Sequence, residues 1–197
     1  MAATDHRLHE YERRRDFRRT AEPHGTTASG GTGGRFVIQH HRASSDHYDV
    51  RLEVDGVLRS WAVPKGPSLS PRDRRLAVPT EDHPLAYAEF EGTIPAGEYG
   101  GGAVLVWDAG TYENTTRRGD TDVPMAEALE RGHATFRLAG EKLTGGFALT
   151  RFRGGDDEAW LLVKEDDAAA DARRNPVSTQ PESVLSGRDL DEIAAAR

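Results

Sequence analysis

Residues 47–63 read HYDVRLEVDGVLRSWAV, and this stretch decides the fold. Polar and apolar side chains alternate without a break, so His47, Asp49, Arg51 and Glu53 share one face of a strand while Tyr48, Val50, Leu52 and Val54 share the other. Asp55-Gly56 is a two-residue turn of the type that closes a hairpin and fixes its register. Val54 then faces Val57, Leu52 faces Arg59, Val50 faces Trp61 and Tyr48 faces Val63, which is mostly an apolar side for a core. On the reverse side Leu58, Ser60 and Ala62 stand opposite Glu53, Arg51 and Asp49. Small side chains opposite charged ones leave room for a ligand.

Outward from this hairpin, short β-branched and aromatic runs recur between Gly and Pro: RFVIQHH from residue 35, LAVPT from 76, GAVLVWD from 102, HATFRLAG from 133, GGFALTRF from 145 and AWLLVKE from 159. That spacing predicts an all-β barrel or sandwich over residues 35–165. Met125 to Arg131, behind Pro124, is the one helix expected inside it. Before the β region lie a highly charged arm over residues 5–20 and a Gly-, Ser- and Thr-rich linker, His24 to Gly34; together, residues 1–34 form an arginine-rich arm and linker. After it, residues 166–197 read as an acidic linker and a terminal helix from Gly187 onward.

With 197 residues, one domain with a hydrophobic core is expected. The absence of cysteine excludes a disulfide scaffold, a thiolate zinc site and a cysteine nucleophile. No run approaches the apolar length that spans a bilayer and the N-terminus lacks a signal-like core, so the expectation is a cytoplasmic protein without membrane contact. Net charge is -7, but residues 156–197 hold 11 acids against 5 bases and account for nearly all of it. Within the near-neutral remainder, arginines gather at Arg13, Arg14, Arg15, Arg18 and Arg19 and again at Arg72, Arg74 and Arg75, where a polyanion can be met.

The face bearing His47, Asp49, Arg51 and Glu53 is commonly a solvated strand face. Here a neutral metal ligand, a carboxylate and a guanidinium stand in a row, and His40 and His41 end the preceding run six residues earlier, so a second imidazole can reach the same spot. Two imidazoles and a carboxylate suit Mn²⁺, Fe²⁺ or Zn²⁺ and leave positions open for a substrate oxygen. Other histidines carry no such partner: His6, His9 and His24 fall in segments expected to be flexible, and His133 begins a distant strand. Gly97–Gly102 lacks the Gly-Lys-Ser/Thr ending of a phosphate loop and reads as a turn. Trp61, Trp107 and Trp160 lie in β runs and read as core.

QHHRASSDHYDVRLEVDGVLRSWAVPKGPS from residue 39, RRLAVPTEDHPLAYAEFEGTIPAGEYGGG from 74 and VLVWDAGTYE from 104 closely resemble the 3′-phosphoesterase domain of bacterial DNA ligase D and its free-standing relatives. The resemblance covers about residues 11–165 and includes RRDFRRTAEP in the arm. It implies a compact antiparallel β-barrel with a crescent-shaped active-site groove, a Mn²⁺-dependent site at which Co²⁺ or Zn²⁺ can substitute, and action on DNA primer-template 3′ ends. It also implies that a 3′-terminal ribonucleoside is removed first, then the 3′-phosphate left behind, restoring a 3′-hydroxyl. On this resemblance the metal ligands are His41, His47 and Asp49, a choice of imidazole that strand alternation favours over His40. Arg51, His83 and Tyr87 match phosphate-binding and catalytic positions. Lys65 and Arg75 match positions for removing the terminal phosphate, and Arg15, Asp16, Glu22 and Glu81 match positions tied to ribonucleoside removal; Gln39 also matches. The chain departs from the family in having His40 where Lys is frequent and Asp46 where an apolar residue is.

Read without the resemblance, His83 is a loop histidine before a proline and Tyr87 a core aromatic. Two other functions share parts of the pattern. A non-haem iron oxygenase also uses a His-x-Asp strand with a further histidine, and His83 or His133 would serve; a non-catalytic DNA-end-binding module would share the arginines. The resemblance further implies a monomer of the bacterial or archaeal nucleoid, working with separate ligase, polymerase and Ku-type repair proteins.

Overall fold

The computed structural model describes residues 6–26 and 34–196. The centre of the expected linker, residues 27–33, lies outside them. In chain order the elements are α1 (His9–Arg13), β1 (Arg35–Arg42), β2 (Asp46–Val54), β3 (Val57–Val63), β4 (Arg75–His83), a 3₁₀ turn (Leu85–Glu89), β5 (Gly92–Ile94), β6 (Gly102–Asn114), β7 (Arg117–Arg118), β8 (Thr121–Asp122), α2 (Met125–Glu130), β9 (His133–Gly140), β10 (Thr144–Arg153), β11 (Ala159–Lys164), α3 (Pro176–Thr179) and α4 (Leu190–Ala195). Eight antiparallel strands close on themselves in the order β1-β2-β3-β4-β11-β10-β9-β6, with β6 returning to β1. The barrel expected from the sequence is present, and closure leaves it no open edge. No helix among the described residues is long and apolar enough to cross a membrane.

Every one of the eight strands feeds the barrel interior, which holds Phe36, Ile38, Val50, Trp61, Ala77, Trp107, Phe136, Phe147 and Trp160. The β2–β3 hairpin has the register its turn dictates, with Asp55 at φ 51° and Gly56 at φ 80° and with Val50 opposite Trp61. Because alternation sends Tyr48, Val50, Leu52 and Val54 inward, Asp49, Arg51 and Glu53 must stand on the barrel's outer wall. A second apolar cluster forms there: Val37, Leu58, Val104 and Val106 from the strands, Leu85, Tyr87 and Phe90 from the 3₁₀ turn, and Tyr11 from the arm. Tyr87 and Ile94 of this outer cluster also line the pocket that holds the charged row.

The C-terminal segment docks onto the barrel instead of trailing from it. Leu190 and Ile193 of α4 are buried in the main core, and the helix opens with a capping box between Asp189 and Glu192, three residues later than the expected start at Gly187. Lys142 Nζ donates to the carbonyls of Gln180 and Glu182, and Trp107 Nε1 donates to Gln180 O at 2.8 Å. On β6, the buried Asp108 carboxylate accepts the backbone N–H groups of Ala109, Glu141, Lys142 and Leu143 at 2.9–3.1 Å, tying β6 to the β9–β10 turn. Asp108→Ala would strand several buried donors, each costing roughly 1–3 kcal/mol. The expected result is a loss on the order of 3 kcal/mol or more in urea unfolding, and a loss under 1 kcal/mol would refute this role.

Candidate active site

Strand register places the functional side chains in rows across the outer wall. His41 pairs with His47, Gln39 with Asp49, and Arg51 with Ser60, which in turn pairs with Thr80. The pocket above these rows is about 220 Å³ and is lined by Arg15, His41, His47, Asp49, Arg51, Thr80, Glu81, His83, Tyr87 and Tyr99, with Ala43, Ile94 and Gly100 completing it.

His41, His47 and Asp49 each bring one ligand atom to a common point, all within 4.8 Å of one another. His41 Nδ1 lies 3.7 Å from Asp49 Oδ2 and His47 Nε2 lies 3.6 Å from Asp49 Oδ1. The outer nitrogens are occupied elsewhere: His41 Nε2 donates to the Gly100 carbonyl at 2.8 Å and His47 Nδ1 to the Ser45 carbonyl at 3.1 Å. The inner nitrogens of the two rings face Asp49, and with the outer nitrogens engaged by carbonyls, neutral rings would offer these inner nitrogens to a cation, the orientation that outer hydrogen bonds impose on metal-binding imidazoles. The residues fit a divalent cation. Gly102, at φ 143°, runs so close to the end of β1 that any Cβ would strike the Arg42 carbonyl.

Burial alone would raise the Asp49 carboxyl, yet the Arg51 guanidinium and the two imidazoles outweigh it and hold the group well below the usual carboxylate range. Burial opposes a proton on His47, but its contact with Asp49 raises that imidazole above its ordinary value. His40, by contrast, stacks on Tyr48 at 4.3 Å, and burial pushes it down to about 4. It stands on the other face of β1 from His41.

Arg51 is 2% exposed and fixed on three sides: Nε donates to Gln39 Oε1 at 2.7 Å, Nη1 to Ser60 Oγ at 2.9 Å and Nη2 to Asp49 Oδ2 at 3.1 Å. Gln39 is held in turn by its own donations to the Tyr87 and Phe90 carbonyls. His83 lies between two cations, Arg51 Nη1 at 3.0 Å from Nδ1 and Arg15 Nη2 at 3.4 Å from Nε2. Burial first, then Arg51 and Arg15, hold it well below the usual histidine range, so it is neutral. It ends β4 and is buried, so the loop reading of this residue is corrected.

The arm is a wall of the pocket. Tyr11 is fully buried edge-on to His83 and Tyr87, and its hydroxyl donates to the Pro23 carbonyl at 2.6 Å. Arg15 binds Glu22 at 2.9 Å and Glu81 at 3.2 Å, while Tyr87 OH donates to the same Glu22 carboxylate at 3.1 Å. Burial, and then the Glu22 charge, push the Tyr87 phenol well above its ordinary value. His24, expected in a flexible stretch, stacks on Phe17 at 4.4 Å.

Three residues singled out in the sequence lie apart from this pocket. Asp16 is paired with Arg18 at 2.9 Å on the outside of the arm. Lys65 and Arg75 line a second pocket of about 400 Å³ with Arg72, Arg74 and Asp73. Conversely, Thr80, Tyr99 and Gly100 line the pocket although no motif in the sequence marks them. The Gly97–Gly102 segment expected to form a turn is the rim of the pocket.

Residues 39–151 match the family model described as the DNA ligase D 3′-phosphoesterase domain. The chain belongs to this family. It is 50% identical over 188 residues to the multifunctional non-homologous end joining protein LigD of Pseudomonas aeruginosa, covering 93% of this chain and 22% of that protein. It is 46% identical over 156 residues to the corresponding DNA repair protein LigD of Mycobacterium tuberculosis, covering 79% of this chain and 19% of that protein, and 41% identical over 162 residues to LigD of Mycolicibacterium smegmatis, covering 82% and 21%. The chain spans about a fifth of the length of these curated relatives.

Proposed function

We propose that this chain is a divalent-metal-dependent phosphoesterase that heals DNA 3′ ends. It removes a terminal ribonucleoside by hydrolysing the phosphodiester, then hydrolyses the remaining 3′-phosphate to a 3′-hydroxyl. The observation that carries this reading is the set His41, His47 and Asp49, with their ligand atoms converging beside a rigid Arg51. On this reading the cation is Mn²⁺, with Co²⁺ or Zn²⁺ as substitutes; it would supply Lewis acidity that withdraws negative charge from the phosphate.

The remaining work falls to the chain. Arg51 is preorganised to bind non-bridging phosphate oxygens, which gain charge as the attacking oxygen approaches phosphorus. Neutral His83 donates Nδ1–H to the Glu81 carbonyl at 2.8 Å, which leaves Nε2 as an acceptor placed to take the proton of an attacking water. Arg15, Glu22 and Tyr87 hold the arm shut against His83, and Gln39 holds Arg51. The same two-imidazole, one-carboxylate set suits Fe²⁺ in an oxygenase, but a pocket floored by guanidinium groups favours an anionic substrate. By this reading the partners are primer-template 3′ ends and the ligase, polymerase and Ku-type proteins of end joining.

The test is direct: with Mn²⁺ the protein should convert a 3′-phosphorylated primer-template to a 3′-hydroxyl and trim one terminal ribonucleotide, and EDTA should stop both. An inactive protein across a range of pH and metals would leave only end binding.

Lys65 and Arg75 enter this reading as a distant hold on the DNA backbone. A primer ending in phosphate has no terminal nucleoside to be gripped and depends more on that hold. Lys65→Ala and Arg75→Ala should therefore slow phosphate release about tenfold, on the scale of one to two kcal/mol for a charge-assisted contact, and slow ribonucleoside removal less. Steady-state kcat/KM on both substrates at one salt concentration checks this, since phosphate contacts are salt-sensitive. Equal losses would show that both substrates depend on this hold alike and would overturn the preference.

A further inference from the structure

Tyr99 sits at the pocket mouth on the loop between β5 and β6 and is 44% exposed, outside both apolar clusters. A large aromatic side chain left in the open, with no core to pack in, invites an explanation. Its orientation is fixed: the hydroxyl receives a hydrogen bond from Arg14 Nη1 at 2.5 Å and donates to Glu81 Oε2 at 3.3 Å, and the Arg14 guanidinium lies 4.7 Å from the ring centroid. Gly97 and Gly100, both at positive φ, bracket it and shape the loop.

The charges around Tyr99 differ from those at the other end of β4. Beside it, Arg14 is engaged by Glu10 and Glu81, Arg15 by Glu22 and Glu81, and Arg19 by Glu98, so three guanidinium groups meet four carboxylates. That wall has no surplus positive charge for a backbone phosphate. At the far end of β4, Lys65, Arg72, Arg74 and Arg75 share a pocket with the single acid Asp73. Eight strand steps separate Arg75 from His83, on the order of 25 Å. A polyanionic strand is drawn to the basic end, whereas the wall beside Tyr99 suits a group that is flat and uncharged.

We infer that Tyr99 is the stacking platform for the terminal nucleoside of the substrate strand, the part beyond the scissile phosphate, and so determines preference between nucleoside-ended and phosphate-ended primers. Aromatic stacking accepts any base, because every base offers a π face. The hydroxyl contacts to Arg14 and Glu81 preorganise the ring so that little freedom is lost when a base lands on it. This inference rests on the end-healing reading given above.

The experiment compares wild type, Tyr99→Ala and Tyr99→Phe on three Mn²⁺-dependent substrates: a primer with a terminal ribonucleotide, the same primer with an abasic terminal ribose, and a primer ending in 3′-phosphate. In Tyr99→Ala the kcat/KM ratio of ribonucleotide-ended to phosphate-ended primer should fall roughly ten- to a hundredfold, the range expected for one lost stack. Tyr99→Phe should keep that ratio within about threefold. Removing the base should cost wild type a similar factor and cost Tyr99→Ala almost nothing more, the signature of a direct ring-base coupling. A terminal 2-aminopurine, titrated in EDTA where no turnover occurs, should be quenched by wild type and not by Tyr99→Ala. An unchanged ratio, a Phe variant as impaired as Ala, or additive losses on the abasic primer would each overturn the assignment. Wild type that quenches but does not turn over would overturn the end-healing reading and leave the stacking platform standing.

Discussion

His47→Ala should lose Mn²⁺ binding and activity on both 3′-phosphate and 3′-ribonucleotide ends, by on the order of a thousandfold or more, while melting close to wild type. The magnitude follows from losing several kcal/mol of charge stabilisation in the transition state. The preserved fold follows from position, for the His47 side chain is at the pocket mouth, a fifth exposed, and supports only the Ser45 carbonyl and Asp49. His41→Ala should match it in activity. Asp49→Ala should be as inactive but much less stable, because it leaves the buried Arg51 guanidinium without its carboxylate, a type of loss that typically costs about 3–5 kcal/mol. His40→Ala is the internal control: its ring stacks on Tyr48 on the other face of β1, so isothermal titration should still register Mn²⁺. Loss of metal by the His40 variant, or retention by the His47 variant, would show that the ligand set is wrong.

The part of this site that was readable in the sequence is the part encoded by alternation. HYDVRLEV-DG-VLRSWAV assigns each side chain a face and a cross-strand partner, and the structure has the same register, Asp49 opposite Ala62 and Arg51 opposite Ser60. What alternation does not encode is the direction of closure, since a strand pattern does not say whether its polar face looks into a barrel or out of it. Here it looks out, and the site is covered by segments remote in sequence. Leu8 and Tyr11 are spaced three apart on one helical face and both are buried, but two apolar residues among so many charges are too short a stripe to announce a docked helix. Tyr99 escaped for the opposite reason. In GEYGGG it has no strand neighbours to alternate with, and its place over the pocket depends on Arg14, 85 residues earlier, and on Glu81. The charge pattern marks Arg72, Arg74 and Arg75 as a cluster, but the roles of Lys65 and Arg75 rest on resemblance, which carries no distance, and the structure gives them a pocket of their own.

Arg51 joins these two kinds of information, because its place is set by local alternation and its usefulness by distant contacts. Arg51→Lys keeps the charge, but a single ammonium on a flexible stem does not reach Gln39, Ser60 and Asp49 together and still present donors to a phosphate. The expected outcome is a loss on the order of 10²–10³ in kcat on both primer substrates, the scale seen when one preorganised transition-state donor is removed. Both substrates suffer because the phosphoryl group is what they have in common, which separates this variant from changes at Tyr99 or Lys65. Arg51→Ala should be worse and partly rescued by methylguanidine, since truncation opens a cavity still lined by the Gln39, Ser60 and Asp49 acceptors. Gln39→Ala tests positioning: it removes the acceptor at Nε without touching the phosphate, so kcat should fall by about tenfold with little change in KM and no rescue by guanidines. If Arg51→Lys retained wild-type kcat, charge alone would suffice at this position. The three-sided clamp on the guanidinium would then serve folding, and the transition-state role would have to pass to His83 and Arg15.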